Sequence, residues 1–226
     1  MKISNKIIKL IKENLTEILD LRDQFSLKPD NSYVSKGDLL VQSLVNDFID
    51  KNLPDYFLIS EENDFSENTD WNTNDQYVIL DPIDGTENFI SGLKEWGVGI
   101  SIFSKGSHKE SCIYLPELNE VLISGQTFKK YKSRISGLSS SLNKDDLNKL
   151  ESGYEYRIIG CSMYNMFCVI KGSFNSFQNP KGVNCWDILP GLNLALENGL
   201  KVYVDNKEYN GEILFPVKKY KVHITN

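Results

Sequence analysis

One stretch constrains this chain more than any other: Val78-Ile79-Leu80-Asp81-Pro82-Ile83-Asp84-Gly85-Thr86-Glu87-Asn88-Phe89. A short apolar run of this kind reads as a buried strand. It stops at two acids, Asp81 and Asp84, with Gly85 and Thr86 behind them at a predicted helix start. A strand that ends this way hangs both carboxylates over one edge of a sheet. Hard cations such as Mg²⁺ need oxygen ligands gathered on a rigid element. Backbone N–H groups at a helix start suit a phosphate. Metal acids beside a phosphate cradle point to metal-assisted phosphoester chemistry.

The rest of the sequence narrows the class. Its 226 residues fit one large domain or two closely packed ones. The net charge of −6 argues against a basic surface for a nucleic-acid polymer. No apolar window approaches the roughly 18–20 residues of a membrane span. The segment Met1–Asp20 mixes Lys, Glu and Asn with apolar residues, unlike a signal peptide. The cysteines, Cys112, Cys161, Cys168 and Cys185, form no CxxC pair, and the histidines are His108 and His223 alone. A zinc site is therefore not expected, and reduced thiols in a cytoplasmic protein are.

Periodicity predicts a helix over residues 3–25, a break at Lys28-Pro29-Asp30-Asn31, and a second helix over 38–52. Tyr56–Ser60 reads as a strand ending at Glu61-Glu62, followed by a polar loop over 63–75 and a strand Gln76–Leu80. Val98–Phe103, Glu110–Tyr114 and Glu120–Gly125 read as antiparallel strands. Further on come a Ser/Asn-rich stretch with a short helix (136–153), a strand at Arg157–Ile159 and an apolar helix over 161–171. Last come strands at Ser173–Gln178 and Lys201–Val204, with a helix Ile188–Glu197 between them. Strands and helices mix without strict βαβ alternation, which predicts an α+β layered sandwich. The expected organisation is one unit, 1–226, with approximate halves: 1–115 for metal and phosphate, 116–226 for the substrate side.

Acids recur at the ends of elements. Glu61 follows one strand, Asp81 and Asp84 follow another, and Asp187 precedes a helix. Each alone has a plain alternative: Asp187 as a helix cap, Glu61-Glu62 as solvated turn charges, Asp81–Gly85 as a structural turn. Together they resemble a family. Asp81-Pro82-Ile83-Asp84-Gly85-Thr86-Glu87-Asn88-Phe89 matches the first signature of the inositol monophosphatase-like phosphatases nearly without change. Glu61-Glu62 matches its upstream Glu-Glu. Cys185-Trp186-Asp187, with Gly191 and Glu197-Asn198-Gly199, matches its C-terminal Trp-Asp signature.

The resemblance implies a fold, a layered α-β-α-β-α sandwich of the sugar phosphatase type, somewhat truncated. It also implies a Mg²⁺-dependent, lithium-sensitive phosphomonoesterase. Glu61, Asp81, Asp84, Asp187 and the carbonyl of Ile83 would hold two or three Mg²⁺ ions. Bound ions would polarise the phosphate and activate a water. Gly85 and Thr86 would hold phosphate oxygens, with Ser162 and Asp187 on the substrate side; Lys181 could reach a second anionic group there or stand as a solvated loop lysine. Thr86, with Glu61, Asp84 and Asp38, would carry the catalytic step, the Thr86 hydroxyl orienting the water. The expected partner is a small phosphorylated metabolite, with no nucleic-acid polymer and no membrane; a homodimer is in keeping with the family.

The chain departs from the pattern near its start. The family carries a Lys, then an Asp, then a Val-Thr-x-x-Asp run; the nearest text here is Lys36-Gly37-Asp38-Leu39-Leu40-Val41-Gln42-Ser43-Leu44, with Asp38 at the first Asp. On that placement Val41 replaces the Thr and Leu44 replaces the Asp that partners Thr86. Three readings stay open: Asp38 or Asp47 substitutes, the enzyme is slow or uses a substrate phosphate as base, or the chain binds without turnover. The substrate side also departs. Pro180 stands where inositol-selective relatives carry a Glu, and Val183-Asn184-Cys185 lacks the Thr-x-Glu of nucleotidases. The expected substrate is a small polyol, sugar or inositol phosphate, with a 3′(2′),5′-nucleoside bisphosphate second.

Overall fold

The computed structural model describes residues 2–63 and 70–226. Two helices open the chain, α1 (Ile3–Glu13) and α2 (Leu15–Asp20), followed by a small hairpin of β1 (Phe25–Leu27) and β2 (Tyr33–Ser35). The expected single helix over 3–25 breaks at Asn14, whose side-chain amide donates to the Leu10 carbonyl at 2.8 Å. Helix α3 (Lys36–Asn52) starts two residues earlier than expected. Ser35 caps it and Asp38 returns the bond, a reciprocal pair that satisfies the first free N–H groups.

A five-stranded sheet follows, in the order β3-β4-β5-β6-β7. Its strands are β3 (Tyr56–Ser60), β4 (Gln76–Asp84), β5 (Gly97–Ser104), β6 (Ser107–Leu115) and β7 (Glu120–Ile123). Only β3 and β4 run parallel; the other pairs are antiparallel. Between β4 and β5 lies α4 (Thr86–Ile90). The expected loop over 63–75 lies in large part outside the described residues.

The second sheet has the order β12-β11-β13-β10-β8-β9. It holds β8 (Ile135–Leu138), β9 (Glu155–Ile158), β10 (Ser176–Val183), β11 (Lys201–Val204), β12 (Lys207–Glu208) and β13 (Tyr220–Thr225). Three helices belong to this half: α5 (Lys144–Leu147), α6 (Ser162–Ile170) and α7 (Leu189–Glu197).

Alternation along the strands sorts the core into two layers. On β4, Tyr77 and Ile79 join the core built by α6, α7 and the six-stranded sheet. Val78 and Leu80, on the opposite face, join α1 and α3. The layers therefore read helices, five-stranded sheet, helices, six-stranded sheet. The outermost helical layer is reduced to the single turn α5; Lys149 and Leu150 just after it border Ser176, Gln178 and His223 on the outer sheet face. Asn88 ties the halves together. Its amide donates to the carbonyls of Glu95 and Ile159, both at 2.8 Å.

Candidate metal and phosphate site

Pairing register places the acids. Ser60 on β3 lies opposite Leu80 on β4 in the parallel ladder, so Glu61 and Asp81 emerge side by side at its end. Between Asp81 and Asp84 the β4–β5 register slips by one residue, from Asp81↔Gly99 to Asp84↔Gly97. Pro82, with no N–H to give the ladder, sits in this bulge, a common device for re-aiming side chains. The turn then closes through Gly85 at φ 84°. A Cβ there would approach the Cys161 Cβ to 3.0 Å, so a glycine suits the position twice over.

Glu61, Asp81 and Asp187 each offer an oxygen, and these oxygens lie within 4.8 Å of one another. Asp81 is fully buried, and neither of its carboxylate oxygens has a hydrogen-bond partner. Burial, then the charges of Glu61 and Asp84, push its pKa well above the usual carboxylate range. Asp187 is raised by burial and by the same neighbours. Its carboxylate accepts from the Asn184 N–H at 2.7 Å and makes no cap bond to α7, so it is not the plain helix cap. A buried anion with no donor is costly, and three acids so close repel. A divalent cation resolves both problems, so this donor set fits one.

Asp84 stands beside this group and faces the start of α6. It accepts from the Cys161 thiol at 3.0 Å and from the Met163 N–H, with a further backbone bond from Ser162. Burial still raises its pKa to about 7 against these bonds. Lys28, in the β1–β2 turn, bridges Glu61 at 2.9 Å and Glu62 at 2.7 Å. Burial works against its charge, but the two glutamates outweigh that and raise its pKa. Sequence spacing held no sign of this contact.

The Thr86 hydroxyl has a carboxylate partner. It lies 3.2 Å from the Asp38 carboxylate and 3.0 Å from the Ile83 carbonyl. Asp38 is fully buried at the start of α3 and accepts from the Ser35 N–H at 2.8 Å and its hydroxyl at 2.5 Å. Burial raises its pKa to about 6, with the Ser35 bonds pulling the other way. The expectation that the partner position falls at Leu44 therefore does not match the geometry. Leu44 is half-buried further along α3, and Asp47 is exposed. The run reads instead as Val34-Ser35-Lys36-Gly37-Asp38, a Val-Ser-x-x-Asp in which serine takes the threonine position.

A cleft of about 370 Å³ opens beside Asp84 and Asp187, lined in part by Gly160, Ser162, Asn184 and Lys219. Lys181, expected on the substrate side, is not among its lining residues and pairs with Asp146 at 2.7 Å.

Comparison with known proteins fits this site. The sequence profile of the inositol monophosphatase family matches residues 1–226. The chain belongs to the inositol monophosphatase family. With the family comes its reaction class: the chain is a phosphoric monoester hydrolase. Among relatives of this family, one named fructose-1,6-bisphosphatase/inositol-1-monophosphatase, from Thermotoga maritima, is 30% identical over 184 residues, 74% of this chain and 69% of that protein. The Nus factor SuhB of Pasteurella multocida is 26% identical over 204 residues, 78% of this chain and 73% of that one. Among solved structures, the Thermotoga maritima IMPase aligns at a TM-score of 0.81 with 24% identity, covering 100% of this chain and 92% of its own. An IMPase/NADP phosphatase complexed with Mg²⁺ and phosphate aligns at 0.79 with 22% identity and the same coverage. At these identities the structures establish the shared fold.

Proposed function

We propose that the chain hydrolyses a small polyol, sugar or inositol phosphate in a Mg²⁺-dependent reaction, with water as the nucleophile. The observation that carries this reading is the fully buried, donorless carboxylate of Asp81 beside Glu61 and Asp187. Glu61, Asp81 and Asp187 would hold the first ion, with Asp84 and the Ile83 carbonyl completing a set for two or three. When bound, such ions supply Lewis acidity toward a phosphate and lower the pKa of a water.

The chain's own residues do the rest. The Thr86 hydroxyl orients the water, and Asp38 fixes that hydroxyl and accepts its proton. Gly85 and Ser162 border the reacting phosphate. The α6 start, with the Cys161 thiol and the Met163 N–H on one Asp84 oxygen, holds that carboxylate in one orientation. The cleft beyond takes the rest of the substrate.

A second reading draws on the relatives named Nus factor SuhB: a binding role with little turnover. One experiment separates the two. Phosphate release is measured on a panel of sugar phosphates, inositol phosphates and nucleoside bisphosphates, with and without Mg²⁺ and with added Li⁺. Mg²⁺-dependent release suppressed by Li⁺ supports the hydrolase. Release from no member above buffer sinks it and leaves the binding role.

A further inference from the structure

The cleft has one cationic side chain among its described lining residues, Lys219. Asp84 and Asp187 are its only acids, and both belong to the proposed ion-binding end. Its remaining polar wall is neutral, made of serine and asparagine side chains such as Ser139, Ser162, Asn179 and Asn184. Lys219 is exposed and makes no side-chain ion pair or hydrogen bond among the described residues. The other lysine on this side, Lys181, is already paired with Asp146.

The local backbone puts Lys219 where it is. The β10–β13 register shifts between Asn179 and Val183. Inside that shift the Asn179 side-chain oxygen accepts from the N–H groups of Lys181 and Gly182, at 3.1 and 3.0 Å. Gly182 has φ 94°, and a Cβ there would lie 3.1 Å from the Lys219 Cβ. The glycine thus leaves room for the lysine stem at the cleft wall. Asp187 and, in the β1–β2 turn, Asp30 lie close enough to Lys219 to interact with its charge. Cations held by the acids would offset Asp187, leaving the ammonium to a ligand's charge.

The geometry points to Lys219 as a specificity-determining residue that reads a second anionic group on the substrate. This rests on the proposed phosphatase reading, with the reacting phosphate at the acids. The second group, a phosphate or a carboxylate, sits against the cleft wall at Lys219. An uncharged polyol phosphate leaves Lys219 without a partner and is the poorer substrate.

The test uses the whole chain with Mg²⁺ and substrate pairs that differ in one anionic group. Glucose 1-phosphate against glucose 1,6-bisphosphate reports a second phosphate. Glycerol 2-phosphate against 2-phosphoglycerate reports a carboxylate. In at least one pair the doubly anionic member is favoured in kcat/KM, and Lys219→Ala lowers that preference roughly tenfold, the scale of one charge-assisted contact. Lys219→Glu inverts it, while Lys201→Ala, a charge removed on the exposed edge of β11, leaves it in place. A preference absent from both pairs, or one that survives Lys219→Ala, overturns the inference. So does an equal rise in KM for both members, which would put Lys219 on the reacting phosphate. If neither member of any pair is hydrolysed, the wider phosphate-ester panel decides the phosphatase reading, and calorimetric binding of the same pairs decides the role of Lys219. Equal affinities within each pair overturn it.

Discussion

Asp38 and Thr86 come from positions 48 residues apart and meet across 3.2 Å. That contact sets a pH dependence. In the proposed reaction Asp38 must be ionised to accept the Thr86 proton, and burial raises its pKa to about 6. The activity is therefore expected to fall as pH drops through about 6, which a kcat–pH profile at saturating Mg²⁺ reads. A profile flat down to pH 4.5 would remove Asp38 from the reaction. The acids Glu61, Asp81, Asp84 and Asp187 were all legible in the sequence, because each stands where a clear apolar run stops or starts, although β4 itself continues through Asp84. Of the open readings for the Thr86 partner, Asp38 fits the contact, and the Leu44 placement does not because Ser35 stands for the expected threonine. A serine hydroxyl caps α3 as a threonine would, so the chemistry survives a change that hides the pattern. Lys28 and Lys219 were not legible. Their sites depend on turns that bring distant segments together, which spacing along the chain does not encode.

At the scale of elements, Asn88 looks like part of the phosphate motif but acts as a brace. Its amide donates to Glu95 and Ile159, so it fixes α4 against the segment that leads into α6. Asn88→Ala removes two hydrogen bonds and leaves carbonyls short of partners, at a cost of about 2 kcal/mol. For a chain of this size that lowers Tm by roughly 4–8 °C, measurable by thermal unfolding monitored by circular dichroism. A Tm unchanged within 1 °C or so would show that the brace carries no weight. The strands of the first sheet were legible because their apolar runs are strong and well bounded. Strands β8, β12 and β13 were not. Lys221 and His223 occupy the exposed positions of β13 among buried Tyr220, Val222 and Ile224, in a tail rich in lysine. The α1–α2 break escaped as well, since the apolar stripe continues past Asn14, whose backbone N–H and side-chain amide turn back to Ile11 and Leu10 to close the first helix.

The molecule as a whole closes on its site. Glu61, Asp81 and Asp84 come from the first sheet, while Asp187, Ser162 and Lys219 come from the second half. The ion-binding end therefore spans the two approximate halves and depends on both. Metal-free stability follows from the raised pKa values of Asp81 and Asp187. The folded state holds these protons to higher pH than the unfolded chain does, so the metal-free protein loses stability as pH rises above about 4. Mg²⁺ binding only the folded state reverses this, by about 2.7 kcal/mol at a hundredfold excess over Kd. That corresponds to a Tm rise of roughly 5–10 °C. Asp81→Asn is expected to raise the metal-free Tm at pH 8 and to abolish the Mg²⁺-induced rise. Scanning calorimetry of both proteins with Mg²⁺ or a chelator checks this. A Mg²⁺ shift that persists in Asp81→Asn would place the ion elsewhere.

On the proposed reading the acids and the Thr86–Asp38 pair form one phosphatase site. That union is tested most directly by phosphate release from purified wild type and Asp38→Asn, with Mg²⁺ affinity measured by calorimetry on both. The expected outcome is Mg²⁺-dependent release by wild type and a loss of about 10²–10⁴-fold in kcat for Asp38→Asn, with Mg²⁺ affinity retained. Equal turnover by the two proteins, or no release by wild type on any phosphate ester of the panel, would contradict it.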